Sequence, residues 1–85
     1  MKFLFISAGR RNQFASFVKD KGVMFDSYEL DTNSPISLLC DKIIPGKKWS
    51  DINIKEELFE LCKKYDLVIP FHDEASKILS EFNLW

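Results

Sequence analysis

Glycine and histidine are scarce in this chain, and neither forms a ligand-binding motif. The 85 residues include three glycines and one histidine. Gly9 is the only glycine in the first strand-to-helix turn, so the Gly-x-Gly-x-x-Gly fingerprint of dinucleotide binding is absent. His72 stands beside two acidic residues but lacks the further ligands that a closed zinc site needs. We therefore predict no metal site.

Charge of one sign, paired cysteines and long apolar runs are missing as well. The net charge of -1, with acids and bases interspersed, gives no field to attract nucleic acid or an anionic membrane. Cys40 and Cys62 stand far apart in apolar surroundings, which predicts reduced, buried thiols. No apolar run reaches the length of a signal-peptide core or a membrane span. These features predict a cytoplasmic protein that binds neither nucleic acid nor membrane.

The chain begins with a buried strand that turns directly into a helix. Residues Phe3 to Ile6 form a continuous apolar run, typical of a parallel strand covered on both faces. Ser7 to Gly9 are small enough for a sharp turn that brings backbone amides toward a bound group. Arg10 and Arg11 follow, and then come apolar residues at helical spacing: Phe14, Phe17 and Val18. Gly22 is placed to end this helix in a left-handed conformation.

The middle of the chain predicts two further strands and a short helix. Polar and apolar residues alternate from Val23 to Asp31, which predicts a strand near a sheet edge. Ser34 and Pro35 begin a short helix that runs to about Cys40. A brief strand over Lys42 to Pro45 follows, and the polar stretch 46–50 predicts a mobile loop.

The last third predicts a helix, a buried strand and a final helix. Asn53 and Glu56 resemble a capping box at the start of the first of these helices. The apolar run from Leu67 to Phe71 predicts a buried strand beside the first one. The final helix begins at His72 to Glu74, and four of its apolar residues share one face: Ala75, Ile78, Leu79 and Phe82. The bare apolar pair Leu84 and Trp85 predicts that the natural polypeptide continues or that this end docks on a partner.

The order of elements predicts the fold class. A βαβαβαβα sequence in 1–85 predicts one domain, an α/β fold with a three-layer, Rossmann-like, open and mainly parallel four-stranded sheet and helices on both faces. Ligands of such sheets bind outside the carboxyl ends of the strands. Polar residues follow each predicted strand, so this edge holds nearly all candidate functional groups.

Six residues at this edge are candidates for substrate or anion binding: Gly9, Arg10, Arg11, Asp31, Asp73 and Glu74. Free amides at a helix start and a guanidinium group suit a carboxylate or phosphate. Each candidate also has a structural alternative. One arginine can pair with a local acid, Asp31 can cap a turn, and Asp73 can cap the final helix while Glu74 favours its dipole.

The residues in this order resemble a known family. The resemblance rests on Ile6 to Arg11 after an apolar strand, Asp31 closing the second strand, Asp41 to Pro45, Leu61 to Lys64, and Val68 to Pro70 with Asp73 and Glu74. Together these resemble the amino-terminal, pre-ATP-grasp domain of ATP-grasp ligases, in the carbamoyl-phosphate synthase large-subunit-like family. The similarity covers nearly the whole chain.

The resemblance implies a domain that forms one wall of a ligase active site. A following ATP-grasp domain, on the same chain or a split partner, would bind MgATP and phosphorylate a small carboxylate, which an amine then attacks. The family's Ala-Gly-Arg-Arg maps onto Ala8 to Arg11, and its later acidic positions map onto Asp31 and the segment His72 to Glu74. These residues would contact the acceptor substrate or the domain interface.

The sequence departs from the family in its ATP-binding elements. The 85 residues hold no glycine-rich lid, nucleotide-binding lysine or metal-binding Glu/Asn pair, so we expect no catalytic residue, no bound cofactor and no turnover from this chain alone. One alternative is a stand-alone flavodoxin-like or receiver-like protein-interaction domain. Another is a small nucleotide-binding module.

Overall fold

Strands and helices alternate along the chain. The computed structural model describes residues 2–9 and 11–81. In chain order the elements are β1 (Lys2–Ile6), α1 (Asn12–Asp20), β2 (Met24–Glu29), a 3-10 helix (Pro35–Leu38), β3 (Lys42–Pro45), α2 (Ile54–Cys62), β4 (Leu67–Pro70) and α3 (Asp73–Ser80). The predicted order is confirmed, with a 3-10 helix in the second helical position.

The strands form one parallel sheet in the order β3-β2-β1-β4. The first strand is central, and Phe5 lies opposite Ser27 of β2 and Ile69 of β4. This arrangement confirms the predicted α/β, Rossmann-like fold and the placement of the fourth strand beside the first. The predicted burial of that strand is wrong, because β4 is an edge strand in which Leu67 is exposed and the other residues are half-buried. The order also differs from the flavodoxin-like order, in which the third strand lies next to the first. The flavodoxin-like or receiver-like topology is therefore wrong for this chain.

Alternate residues of the strands fill two cores on opposite faces of the sheet. One core lies between the sheet and helices α2 and α3, and it includes Leu4, Ile6, Tyr28, Leu58 and Leu79. The other core lies between the opposite face of the sheet and α1 with the 3-10 helix, and it includes Phe5, Phe25, Ala15, Val18 and Ile36. The rings of Phe5 and Phe25 stack at 4.4 Å between centroids. Helices on both faces explain why the first strand is a continuous apolar run.

The predicted position of the second strand is wrong. It lies inside the sheet, between β1 and β3, although it carries the buried polar residues Asp26, Ser27 and Glu29. Ser27 donates to Glu29 within the strand and the two acids bond other parts of the chain, while Oδ1 of Asp26 has no hydrogen-bond partner among the described residues. The Asp26 carboxylate, for example, accepts a 2.6 Å hydrogen bond from the hydroxyl of Tyr65 and lies 3.3 Å from Nζ of Lys2.

Local signals at the helix ends were partly correct. Gly22 has a φ of +78°, as the predicted left-handed helix end requires. Helix α2 begins after Asn53, but the Asn53 side chain makes no capping hydrogen bond, and the amide of Asn53 donates instead to Asp51. The short helix after Ser34 ends at Leu38 and not near Cys40. Phe82, Leu84 and Trp85, which figured in the predictions for the last helix and the apolar end, lie outside the described residues.

Both cysteines are free thiols, as predicted. Cys62 is buried, and burial raises the pKa of its thiol to about 11. Cys40 is half-buried, and its thiol pKa is also raised by burial. None of the helices within the described ranges is long and apolar enough to cross a lipid bilayer.

Candidate functional site

The candidate site lies at the carboxyl edge of the sheet, where β1 and β4 are neighbours. Successive connections lead from β1 toward β2 and β3 on one side and to β4 on the other, so the strand order reverses between β1 and β4. Open parallel sheets bind ligands in the crevice outside this point. The amide of Phe71 donates to the carbonyl of Ile6 at 2.9 Å, so the segments that follow these two strands start side by side.

The segment after β1 is a tight turn with an unusual backbone. Ser7 has a φ of +59° and Gly9 a φ of +51°. Positive φ values are uncommon for serine, so the surrounding contacts must hold this conformation. The amide of Ser7 donates to the carbonyl of Tyr28 at 2.9 Å, and the carbonyl of Gly9 accepts from the amide of Ile36 at 3.0 Å. The turn is thus anchored to β2 and to the start of the 3-10 helix.

The amides of this turn donate to a carboxylate of the chain itself. Glu29 Oε2 accepts from the amide of Ala8 at 2.8 Å, and Oε1 accepts from the amide of Gly9 at 3.2 Å. The hydroxyl of Ser27 donates to the same Oε2 at 2.6 Å. Sequence reasoning missed this role of Glu29. The available signal was its position twenty residues after Gly9.

Of the two arginines after the turn, Arg11 is among the described residues. Arg11 is exposed and lies at the start of α1, where its amide donates to the carbonyl of Ala8 at 2.8 Å. Its guanidinium is therefore open to a ligand from solvent. Arg10 lies outside the described residues.

Asp31 caps a turn after β2. Its Oδ1 accepts from the amide of Asn33 at 3.0 Å, and its carbonyl accepts from the amide of Ser34 at 3.2 Å. The side chain is exposed. This geometry is the turn-capping alternative for Asp31, while its predicted contact with a substrate stays a prediction.

The segment after β4 begins α3 with a histidine cap. The amide of Glu74 donates to Nδ1 of His72 at 3.2 Å, so His72 caps the helix in place of Asp73. Asp73 and Glu74 lie exposed in the first turn, where carboxylates favour the helix dipole. The indole of Trp49 stacks on the imidazole of His72 at 5.3 Å between centroids.

A second hydrogen-bond cluster lies at this edge on the face of α2 and α3. The hydroxyl of Tyr28 donates to Glu57 Oε2 at 2.8 Å and accepts from the amide of Lys47 at 3.0 Å. Burial, reinforced by Glu57, raises the pKa of Tyr28 to about 12. The loop 46–50, predicted to be mobile, is thus tied to the sheet through Lys47 and to α3 through Trp49.

The edge combines hydrogen-bond donors with carboxylates and suits recognition of a small polar ligand. Arg11 on the β1 side and the first-turn acids of α3 on the β4 side offer charges of opposite sign. Within residues 2–9 and 11–81, no group of three or more His, Cys, Asp or Glu side chains is arranged to hold a metal ion.

Comparisons with protein-family models and with curated proteins gave no match for this chain.

Proposed function

We propose that this chain is the substrate-side, amino-terminal domain of a cytoplasmic ATP-dependent ligase that joins a carboxylate to an amine. In that reaction the carboxylate attacks the terminal phosphorus of ATP, giving an acyl phosphate and ADP, and the amine then displaces inorganic phosphate. The proposal keeps the resemblance to carbamoyl-phosphate-synthase-like ligases. This chain would bind and orient the acceptor substrate and would not carry out the phosphoryl transfer.

One observation carries the proposal: the segments after β1 and β4 flank the point where strand order reverses. Arg11 lies on one side of this crevice, and Asp73 and Glu74 lie on the other. A guanidinium suits the carboxylate or phosphate of the substrate, and the acids suit an ammonium group or a neighbouring domain. Arg10 and Asp31 complete the proposed set, and Gly9 is left out because its amide already donates to Glu29.

MgATP belongs to another domain in this proposal. The described part of the chain offers it no fitting site, because the amides of the turn after β1 already donate to Glu29 and no metal-ligating group converges there. No step through MgATP is assigned to these residues.

The test is ATP-dependent turnover by the protein isolated from its native source. ADP formation should require both a small carboxylate and an amine. Arg11→Gln should lower kcat/KM at least tenfold by removing the anion contact. Lys64→Gln is the matched control, since it removes one positive charge from an exposed residue that precedes β4 at the opposite end of the sheet. It should leave kcat/KM within about twofold.

Other outcomes assign other functions. Micromolar binding of a nucleotide by the 85-residue chain alone would favour the small nucleotide-binding module. Absence of ATP-dependent turnover with a broad panel of carboxylates and amines would contradict the ligase proposal.

A protein-interaction domain with this Rossmann-like strand order is the second candidate. Its support is α3, which is capped by His72 and buries Ala75, Ile78 and Leu79 against the sheet, as a self-sufficient domain requires. Isolation of a stable complex in which Arg11→Gln has no effect on any activity would favour this candidate.

A further inference from the structure

The carboxylate of Glu29 occupies the place where a strand-to-helix turn commonly binds an anionic ligand. Two consecutive backbone amides, Ala8 and Gly9, and the hydroxyl of Ser27 all donate to it. Glu29 is only 5% exposed and Ser27 is fully buried, so water does not compete freely for these bonds. The anion-binding groups of the turn are therefore satisfied within the chain.

The shape of the turn is that of an anion-binding concavity. Positive φ values at Ser7 and Gly9, on either side of Ala8, turn successive amides toward one point. Such concavities hold phosphate and other anions in proteins. Hydrogen bonds from Ser7 to Tyr28 and from Ile36 to Gly9 fix the turn from outside, so its form does not depend on Glu29 alone.

Dipoles stabilise the Glu29 carboxylate. Across residues 2–9 and 11–81, the ion pairs involve other acids, and none includes Glu29. Among these residues, the groups that offset the burial of the Glu29 carboxylate are its fixed donors. The donors that hold Glu29 are those that would hold a phosphate oxygen, so the two groups compete for one place.

We propose that the turn after β1 is a latent anion site whose ligand is Glu29, and that Glu29 closes it to free phosphate and carboxylate groups. An external anion binds these amides only when Glu29 is removed, neutralised or displaced. The inference goes beyond the proposed function, since it concerns the turn itself whatever reaction the protein serves. In the ligase proposal it leaves Arg11, and not the Gly9 amide, as the described group that meets a substrate anion.

Glycine amides give a direct measurement of this site. The chain has three glycines, so protein labelled with [15N]glycine shows three backbone amide signals. Gly9 reports on the turn, and Gly22, at the far end of α1, is the internal control. Inorganic phosphate is titrated at constant ionic strength into wild type, Glu29→Ala and Glu57→Ala. Glu57 is another carboxylate acceptor at this edge, but it bonds a side-chain hydroxyl and not the turn.

We expect phosphate to shift the Gly9 signal in Glu29→Ala, with an apparent affinity at least tenfold above wild type and Glu57→Ala, while Gly22 stays unmoved. If phosphate does not shift the Gly9 signal of a folded Glu29→Ala protein, the proposal is overturned. Equal responses in wild type and Glu29→Ala would overturn it too. Neither result depends on ATP or an acceptor substrate, so failure here is distinct from failure of the ligase proposal.

A measurement on wild type covers the case in which Glu29→Ala does not fold. The Gly9 amide nitrogen should show a through-hydrogen-bond scalar coupling to the Glu29 carboxyl carbon, because the two groups are hydrogen-bonded. The Gly22 amide, which donates to the carbonyl of Lys19, should show no coupling to that carbon. Absence of the Gly9 coupling in folded wild type would overturn the proposal.

Discussion

Two consecutive residues of β2, Tyr28 and Glu29, each form the centre of a hydrogen-bond cluster. The two clusters lie at the same edge of the sheet but on opposite faces. On the α1 face, Glu29 accepts from fixed backbone amides and is almost fully buried. On the α2 face, Tyr28 donates to Glu57, whose side chain is 35% exposed. The backbone amides that donate to Glu29 are fixed and cannot turn to water, whereas the Tyr28 hydroxyl that donates to Glu57 can rotate. The same loss of a carboxylate should therefore cost more on the first face than on the second.

Glu29→Ala against Glu57→Ala tests this difference and has the largest expected effect. Removing Glu29 leaves the amides of Ala8 and Gly9 without their acceptor in a largely buried turn, which should lower the free energy of unfolding by about 2–4 kcal/mol. Removing Glu57 leaves a hydroxyl that can rotate, and should cost less than about 1 kcal/mol. Urea denaturation of the two variants measures both values.

Equal losses of unfolding free energy in the two variants would mean that the solvent exposure of a carboxylate at this edge does not determine the cost of removing it. Glu29→Gln adds a further check. It keeps the size of the side chain but replaces one acceptor oxygen by a donor, which would then face an amide or hydroxyl donor. It should recover little of the lost stability.

The contrast between these faces also explains what the sequence could predict. Apolar runs in the first and fourth strands, and turn residues between elements, predicted the fold, because burial of β1 on both faces leaves a local record in composition. The apolar run of β4 has no such cause, since β4 is a partly exposed edge strand. The place of β2 was not predicted, because two of its buried acids bond groups that are distant in the sequence. Glu29 meets Ala8 across 21 positions, and Asp26 meets Tyr65 across 39.

The candidate site was predicted as an edge but not as a set of contacts. Strand ends locate the edge, since parallel strands share their carboxyl side. Glu29 and Asp31 are two residues apart, so alternation along a strand does not distinguish them, and what separates them is that β2 ends at Glu29. Glu29 is inside and bonds the turn, while Asp31 is outside and caps its own loop. His72, predicted with Asp73 and Glu74 to contact the acceptor substrate or the domain interface, is the cap of α3.

Gly46→Ala disturbs both clusters at once and has an intermediate expected effect. A Cβ at this position would lie 2.9 Å from Cε1 of Tyr28 and 3.1 Å from the carbonyl carbon of Glu29. Because the second neighbour is backbone, the strand or the loop must move. We expect a loss of about 1–3 kcal/mol in unfolding free energy.

Lys48→Ala is the control for the glycine variant, because Lys48 is exposed in the same loop. Its unfolding free energy should stay within about 0.5 kcal/mol of wild type. A Gly46→Ala protein as stable as Lys48→Ala would show that the loop after β3 yields without strain, in spite of the close approach of Gly46 to Tyr28 and Glu29.

Tyr28→Phe gives the smallest effect and separates the two faces by pH. Burial and Glu57 raise the pKa of Tyr28 to about 12, above its ordinary value of 10.0. A pKa raised on folding means that the stabilisation is complete below pH 10.0 and is lost as the pH rises toward 12. Between about pH 9 and about pH 11, wild type should lose roughly 1 kcal/mol relative to Tyr28→Phe.

Urea denaturation of wild type and Tyr28→Phe at both pH values measures this difference. The hydroxyl of Tyr65, whose pKa is also raised by burial, is present in both proteins, so its titration cancels from the comparison. Glu29→Ala should run parallel to wild type over the same interval, because it keeps the Tyr28 hydroxyl and its bond to Glu57. Parallel profiles for Tyr28→Phe and wild type would contradict a Tyr28 pKa raised by burial. Of the two clusters compared, only the one at Glu29 would then contribute strongly to stability.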